Sequence, residues 1–295
     1  MSGVSASTTM SEAVSTRGTG RRRRRRAAPQ FIIVCCFVFI AVVVLFAVTG
    51  SLLAPQDPSV QNLSNITAAP SAEHLLGTDA LGRDTLSRLI AGTGSAFVGP
   101  LVIALGSFLI GNLLGLLAGY RGGRVDSLIM RWIDLMWAIP SLLILVVVAG
   151  VVGASYWPTV LILVVLTVPL DARVVRGATL EQMPRPYVEA AKTVGVSDRR
   201  IMWLHIWPNV APISVANTFL VFAGSVGILA SLSFLGLGVP PGKPDWGLML
   251  AENQPLLFVQ PLACLAPAVL IILTATSMTV IGDWAYERLS EEGPR

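Results

Sequence analysis

The sequence predicts an all-α, polytopic membrane protein with six transmembrane helices, and three observations carry that prediction. Of its 295 residues, 54% are apolar and 13% charged, too little polar surface to coat a water-soluble globule of this size. Six charge-free runs approach the roughly 20 residues that an α-helix needs to cross about 30 Å of hydrocarbon. These runs are apolar on nearly all sides, whereas the strands of a membrane barrel alternate apolar and polar positions.

In order, the runs are Phe31 to Leu53, Ala96 to Tyr120, Leu128 to Val152, Thr159 to Pro169, Ile213 to Leu237 and Pro261 to Ile281, the fourth being the shortest. Lys and Arg in short loops are retained on the cytoplasmic side. With the N terminus inside, all but three of the 21 cationic residues fall there, the exceptions being Arg83, Arg88 and Lys243. Six spans then place both termini in the cytoplasm.

Residues 1–30 contain Arg21 to Arg26 and few apolar groups, the composition of a disordered basic tail that anchors orientation at anionic lipid. The net charge of +4 reflects topology plus this tail, so it points to no nucleic-acid partner. At 23 residues the first run exceeds a secretory h-region and reads as an uncleaved anchor. Residues 31–285 form the membrane domain and 286–295 a short cytoplasmic tail. Cys35, Cys36 and Cys264 lie inside spans without metal-cluster spacing and read as packing residues.

Between the fourth and fifth runs, the cytoplasmic loop 173–209 is patterned like folded structure. Pro184 and Pro186 suit a helix start, and Tyr187, Ala190, Ala191 and Val194 then fall at helical spacing on one face. Gly195 suits a left-handed cap, Ser197 can cap a second short helix, and Pro208 is expected to stop it. Spacing alone fits either a docking segment for a partner or an interfacial helix lying on lipid.

The residues go further. Glu189-Ala190-Ala191, then Gly195, then, after nine intervening residues, His205-Ile206-Trp207-Pro208-Asn209 resemble the EAA loop of ABC importer permeases, although Trp207 stands where that family usually carries an aliphatic residue. Leu76-Gly77-Thr78-Asp79 with Gly82-Arg83-Asp84, Ala138-Ile139-Pro140-Ser141-Leu142, and Ser233 to Gly238 with Pro244-Asp245-Trp246-Gly247 resemble further motifs of the C-type permeases of dipeptide, oligopeptide and nickel importers.

That resemblance implies a type I ABC importer fold whose helix from Pro186 to Val194 docks on an ATPase subunit. It assigns Tyr187, Glu189, Ala190, Ala191, Val194, Gly195, His205 and Pro208 to coupling. Glu189 is expected to orient the two loop helices by hydrogen bonding, and Ala190, Ala191 and Gly195 to permit close contact. The chain has no G-x-x-x-x-G-K-[ST] phosphate loop, so no cofactor is expected on it, and ATP and magnesium belong to partner ATPase subunits. A homologous B-type permease and an extracytoplasmic substrate-binding protein complete the implied assembly. The binding protein would meet the external loop 54–95 and residues 239–260; the plainer expectation there is a solvated loop with an exposed Arg83 salt bridge, worth under about 1 kcal/mol.

In the membrane core, Gly111, Gly115 and Gly119 recur every four residues after Ala104 and Ser107, an edge suited to close helix contact within the chain or with a second permease. Pro140, Pro208 and Pro212 should kink their helices. Asn217 and Ser231 are candidates for either pathway lining or interhelical bonding. Asp134, Asp171 and Asp283 are expected near cytoplasmic helix ends, leaving no intramembrane carboxylate for proton or sodium coupling. That speaks against a stand-alone secondary transporter, and the separation of His74 from His205 speaks against a membrane enzyme. The expectation is therefore a non-enzymatic permease subunit importing short peptides, with nickel, glutathione or another small solute as the alternative cargo.

Overall fold

A computed structural model describes residues 29–153 and 155–292, so nearly all of the basic tail lies outside the described residues. Among those described, every regular element is helical apart from one isolated bridge between Thr78 and Asp84. Helix α1 spans Gln30–Thr49, α2 Thr85–Arg121, α3 Gly123–Ala138, α4 Ser141–Val152, α5 Tyr156–Gln182 and α6 Pro186–Thr193. Helix α7 runs unbroken over Asp198–Phe234, followed by α8 at Trp246–Asn253 and α9 at Pro261–Glu292.

Helices α1, α2, α5, α7 and α9 are long and apolar enough to cross a membrane. The third predicted span is instead two shorter helices. Clash with the proline ring disfavours helical geometry in the preceding residue, and Ile139 before Pro140 is extended at φ −101°, ψ 126°. Helix α3 therefore ends at Ala138 and α4 restarts at Ser141, so the expected kink is a full break. Six single spans become five long helices plus this broken pair.

Two predicted boundaries also move. Helix α5 does not end near Pro169 but continues through Arg173 and Arg176 to Gln182. The extension is clasped to α3, where Arg176 donates to Asp126 at 2.5 and 2.6 Å, and Arg173 pairs with Asp134 and lies 4.3 Å over the Trp137 ring. Likewise, α9 continues to Glu292, so the segment after 285 expected as a tail is helical as far as it is described.

The small-residue edge of α2 packs against α5 within the chain. A Cβ added at Gly115 would lie 2.7 Å from the Ala172 carbonyl oxygen, and one at Gly119 would lie 2.7 Å from Thr179 Cβ. At Gly111 it would collide with Asp171. Close approach of this kind replaces the hydrophobic drive that lipid removes. Ile103, Leu163, Phe222, Leu229 and Trp246 fill the shared core of α2, α5, α7 and α8. Helix α1 is peripheral: Val43 is its buried residue, and Cys35, expected to pack, is exposed.

At the opposite end from the arginine-rich loops, the external segment is divided: most of residues 52–73 are exposed, whereas most of 74–84 are buried. Residues 85–95 are the first turns of α2, and 74–84 fold into a largely buried knot ahead of them. Gly77 and Gly82 take left-handed φ values of 73° and 69°, and a Cβ on either would strike the Gln260 amide or the Asn62 carbonyl. Asp84 caps α2, accepting from Ser87 N at 2.8 Å, with His74 Nδ1 at 3.0 Å.

The Arg83 salt bridge is buried rather than exposed. Arg83 donates to Asp79 Oδ2 at 2.7 Å and to Glu252 Oε2 at 2.6 Å, and Arg88 donates to Glu252 at 2.9 Å. Asp79, Arg83 and Arg88 are 1%, 2% and 0% exposed. Two acids and two arginines thus tie the first external segment to α8, each charge compensating another removed from water. Trp246 strengthens the same junction through a 3.0 Å bond from Nε1 to the Leu89 carbonyl.

Two stability outcomes follow. Arg83→Met leaves Asp79 and Glu252 short of a partner and should destabilise the protein by about 3–5 kcal/mol. Gly115→Val forces α2 from α5 and should destabilise it by about 1–3 kcal/mol. Thermal melting of the detergent-purified chain measures both, and an unchanged midpoint in either variant contradicts the packing described.

Candidate functional site

The predicted loop 173–209 contracts to a compact segment, because its beginning belongs to α5 and its end to α7. Between them lie Met183 to Ser197, with α6 in the middle. Pro186 opens α6 at a position where a missing N–H removes no helix bond. The helix closes through a reverse turn in which Val196 N donates to the Ala191 carbonyl at 3.0 Å and Gly195 N to the Lys192 carbonyl at 3.0 Å. Gly195 occupies the left-handed position at φ 81°, which costs other L-residues about 1–2 kcal/mol.

One anchor seats this segment, and it is a residue the sequence pattern did not single out. Val188 is fully buried against a cluster of Leu116, Val175, Ile201, Met202 and Ile206, drawn from α2, α5 and α7. Tyr187 and Ala191 are half-buried beside it, whereas Ala190 and Val194 are exposed, Val194 at 83%. The face expected to hold Tyr187, Ala190, Ala191 and Val194 together is therefore divided. Tyr187 and Ala191 hold α6 to the bundle, and Ala190 and Val194 are presented outward with Glu189.

Hydrogen bonds orient the segment without Glu189. Its carboxylate accepts no hydrogen bond among the described residues, contrary to the orienting role expected of it. Tyr120 at the end of α2 instead donates to Asp198 Oδ1 at 2.7 Å, fixing the start of α7. Burial pushes the Tyr187 phenol up, and its hydroxyl donates to Gln182 Oε1 at 3.0 Å. Asn209 Nδ2 donates to the His205 carbonyl at 2.7 Å and approaches Tyr187 Oη at 3.4 Å. Tyr187, His205, Pro208 and Asn209 line a concavity of about 780 Å³ with Gln182 and Arg185.

Pro208 does not stop the second helix, and Ser197 makes no side-chain cap. Ile201–Ile206 adopts a π-helix whose widened turn ends with Trp207 N donating to the Met202 carbonyl. A proline inside an α-helix lacks one donor and its ring clashes with the carbonyl four residues back. The wider π turn ahead of Pro208 relieves that clash, and the chain passes through Pro208 and Pro212 into the span without a break. The short helix that begins at Asp198 and the membrane helix are thereby one rod, joined to α6 by the turn at Gly195.

The remaining candidates separate. Ser231 lies on a concavity of about 540 Å³ lined also by Thr167, Gly224, Gly227 and Leu145, and its hydroxyl donates to the Gly227 carbonyl at 2.8 Å. Asn217 is not free to line it, because its amide donates to Asp171. Asp171 itself is buried among α2, α5 and α7, eleven residues before the end of α5 rather than at a helix end. Asp283 is exposed and Asp134 is paired with Arg173. Among the described residues, no group of three His, Cys, Asp or Glu side chains is arranged to hold a metal ion.

With that geometry in place, the relatives are informative. The di/tripeptide transport system permease protein DppC of Pseudomonas aeruginosa is 36% identical over 259 residues, covering 85% of each chain. The glutathione transport system permease protein GsiD of Pectobacterium atrosepticum is 34% identical, covering 85% of this chain and 84% of that one. The oligopeptide transport system permease protein OppC of Lactococcus lactis is 33% identical, covering 86% and 88%. Among solved structures, the inward-facing MetNI methionine ABC transporter superposes with a TM-score of 0.57 at 20% identity, over 68% of this chain and 95% of that one, a likeness of fold. Residues 111–291 match the family model described as binding-protein-dependent transport system inner membrane component: the chain belongs to that family of multi-pass ABC importer permeases.

Proposed function

We propose that the chain is one of two permease subunits of an ATP-driven importer of short peptides, and that its partners are a homologous B-type permease, cytoplasmic ATPase subunits and an extracytoplasmic substrate-binding protein. The observation that carries this reading is the docking segment. It presents Ala190 and Val194 outward on a helix seated by Val188 against an apolar cluster that it shares with the first turns of the membrane rod α7. A push on α6 is delivered to α7 because both share one apolar cluster. ATP and magnesium are held by the partner, since no phosphate loop occurs in the sequence.

Peptide cargo is supported by the di/tripeptide and oligopeptide transport permeases among the relatives. Glutathione is a second reading, supported by the 34% identical glutathione permease, and it is chemically close because glutathione is itself a tripeptide. The buried external knot offers a rigid platform for a binding protein, with Glu252 as its partly exposed acid. Ser231 and its concavity are the candidate stretch of pathway wall.

The partner claim is tested by purifying the tagged chain from its native membrane in mild detergent. An ATPase should copurify, and Ala190→Arg should remove it while leaving the melting midpoint unchanged, because that side chain is exposed. Gly195→Val is less diagnostic, since its left-handed φ brings strain of about 1–2 kcal/mol. A chain that purifies alone, or an Ala190→Arg variant that keeps its ATPase, contradicts the assignment.

A further inference from the structure

Asp171 is 2% exposed on α5, facing both α2 and α7. Ser107 of α2 donates its hydroxyl to Asp171 Oδ2, and the Asn217 amide of α7 donates to Oδ1. The space exists because residue 111 is glycine: a Cβ there would collide with the Asp171 side chain. The arginines of the same helix are engaged elsewhere, Arg173 with Asp134 and Arg176 with Asp126. Asp171 forms no ion pair among the described residues, so two neutral donors on two different helices hold it.

A second link runs alongside. Ser214 of α7 donates to Asn112 Oδ1 of α2 at 2.8 Å, and Asn112 Nδ2 donates to the Phe108 carbonyl at 2.6 Å. Ser214 and Asn217 are three residues apart and share one face of α7. The three helices are not equally joined. Helices α2 and α5 meet closely along Gly111, Gly115 and Gly119, where α2 contributes no side chain and its backbone lies against Asp171, Ala172, Val175 and Thr179 of α5. Helix α7 is joined to that pair through side chains, and these two polar links give the contact a register that apolar packing alone does not.

Hydrocarbon supplies no substitute donor or acceptor, so a carboxylate or amide pulled from its partner inside the bundle is left unsatisfied. The contact therefore favours one discrete placement of α7 over a continuum of tilts. We propose that Asp171, acting through Asn217, is a positioning residue that keys α7 to the α2–α5 unit, so that displacement of the docking segment moves α7 between defined placements and each ATP hydrolysed moves cargo. This inference rests on the ATPase-driven reading above. Sequence position concealed the residue: it follows Pro169, where the fourth apolar run was expected to end.

The test measures uptake of labelled trialanine or glutathione together with ATP hydrolysis by the assembled complex in proteoliposomes. Asp171→Leu and Asn217→Leu should lower cargo moved per ATP about tenfold while hydrolysis persists. The reciprocal double exchange, Asp171→Asn with Asn217→Asp, preserves the bonding: the amide oxygen on α5 accepts from Ser107 and its NH₂ donates to the carboxylate on α7. That double variant should return the ratio to within about threefold of wild type. Leu variants with a wild-type ratio overturn the inference alone, as does a double exchange no better than the single variants. If the Leu variants fail to assemble, recovery of assembly and ratio by the double exchange supports the key, and failure to recover overturns it. A wild-type complex without ATP-dependent uptake overturns the proposed function and this inference with it.

Discussion

Hydrocarbon offers no hydrogen bonds, and the architecture of this chain follows from how each polar group inside it finds a partner in the protein. Where Pro140 breaks the backbone, two shorter helices replace one. At Pro208 a π turn absorbs the misfit and the helix survives. The glycine edge of α2 brings two backbones together and leaves room for Asp171, whose carboxylate is then satisfied by Ser107 and Asn217. In the external knot, two acids and two arginines neutralise one another, with Glu252 alone partly exposed. These are separate solutions to one constraint, and they decide which helices move as a unit.

Two bodies emerge from that reading. One is the α2–α5 pair, joined at backbone distance and clasped to α3 through Arg176 and Asp126. The other is α7, which begins just after the α6 segment and carries Ser231 near its far end. Val188 and Tyr120–Asp198 hold the second body to the first at the arginine-rich end, and Asp171–Asn217 and Asn112–Ser214 hold it within the membrane. Coupling in an importer requires such a pair, since a partner's movement reaches the pathway only through elements stiff enough to transmit it. Continuity through Pro208 is what makes α7 stiff along its whole length.

Much of this was legible from residue order. Five apolar runs became long helices because length and hydropathy alone decide insertion. The glycine repeat announced a helix contact, and Gly195 announced its left-handed turn. What escaped were features set by neighbours distant in sequence. Asp171 looked terminal because a proline preceded it, but Arg176 and Arg173 find acidic partners on α3 and extend the helix past it. Arg83 looked like a surface residue because its partner Glu252 is far along the chain. Val188 was passed over because the outward face of α6, not its seat, carries the family resemblance, and Pro208 read as a stop because a π turn leaves no signature in composition.

The buried carboxylate makes the energy source the sharpest question, since an intramembrane acid is also the device by which proton-coupled transporters work. The most direct measurement is uptake of labelled trialanine by proteoliposomes holding the purified complex, with ATP and a proton gradient supplied independently. The account predicts uptake that requires internal-facing ATP hydrolysis and persists when the gradient is collapsed by an ionophore. Uptake driven by the gradient without ATP would contradict it, and would make this chain a secondary transporter built on an importer permease fold.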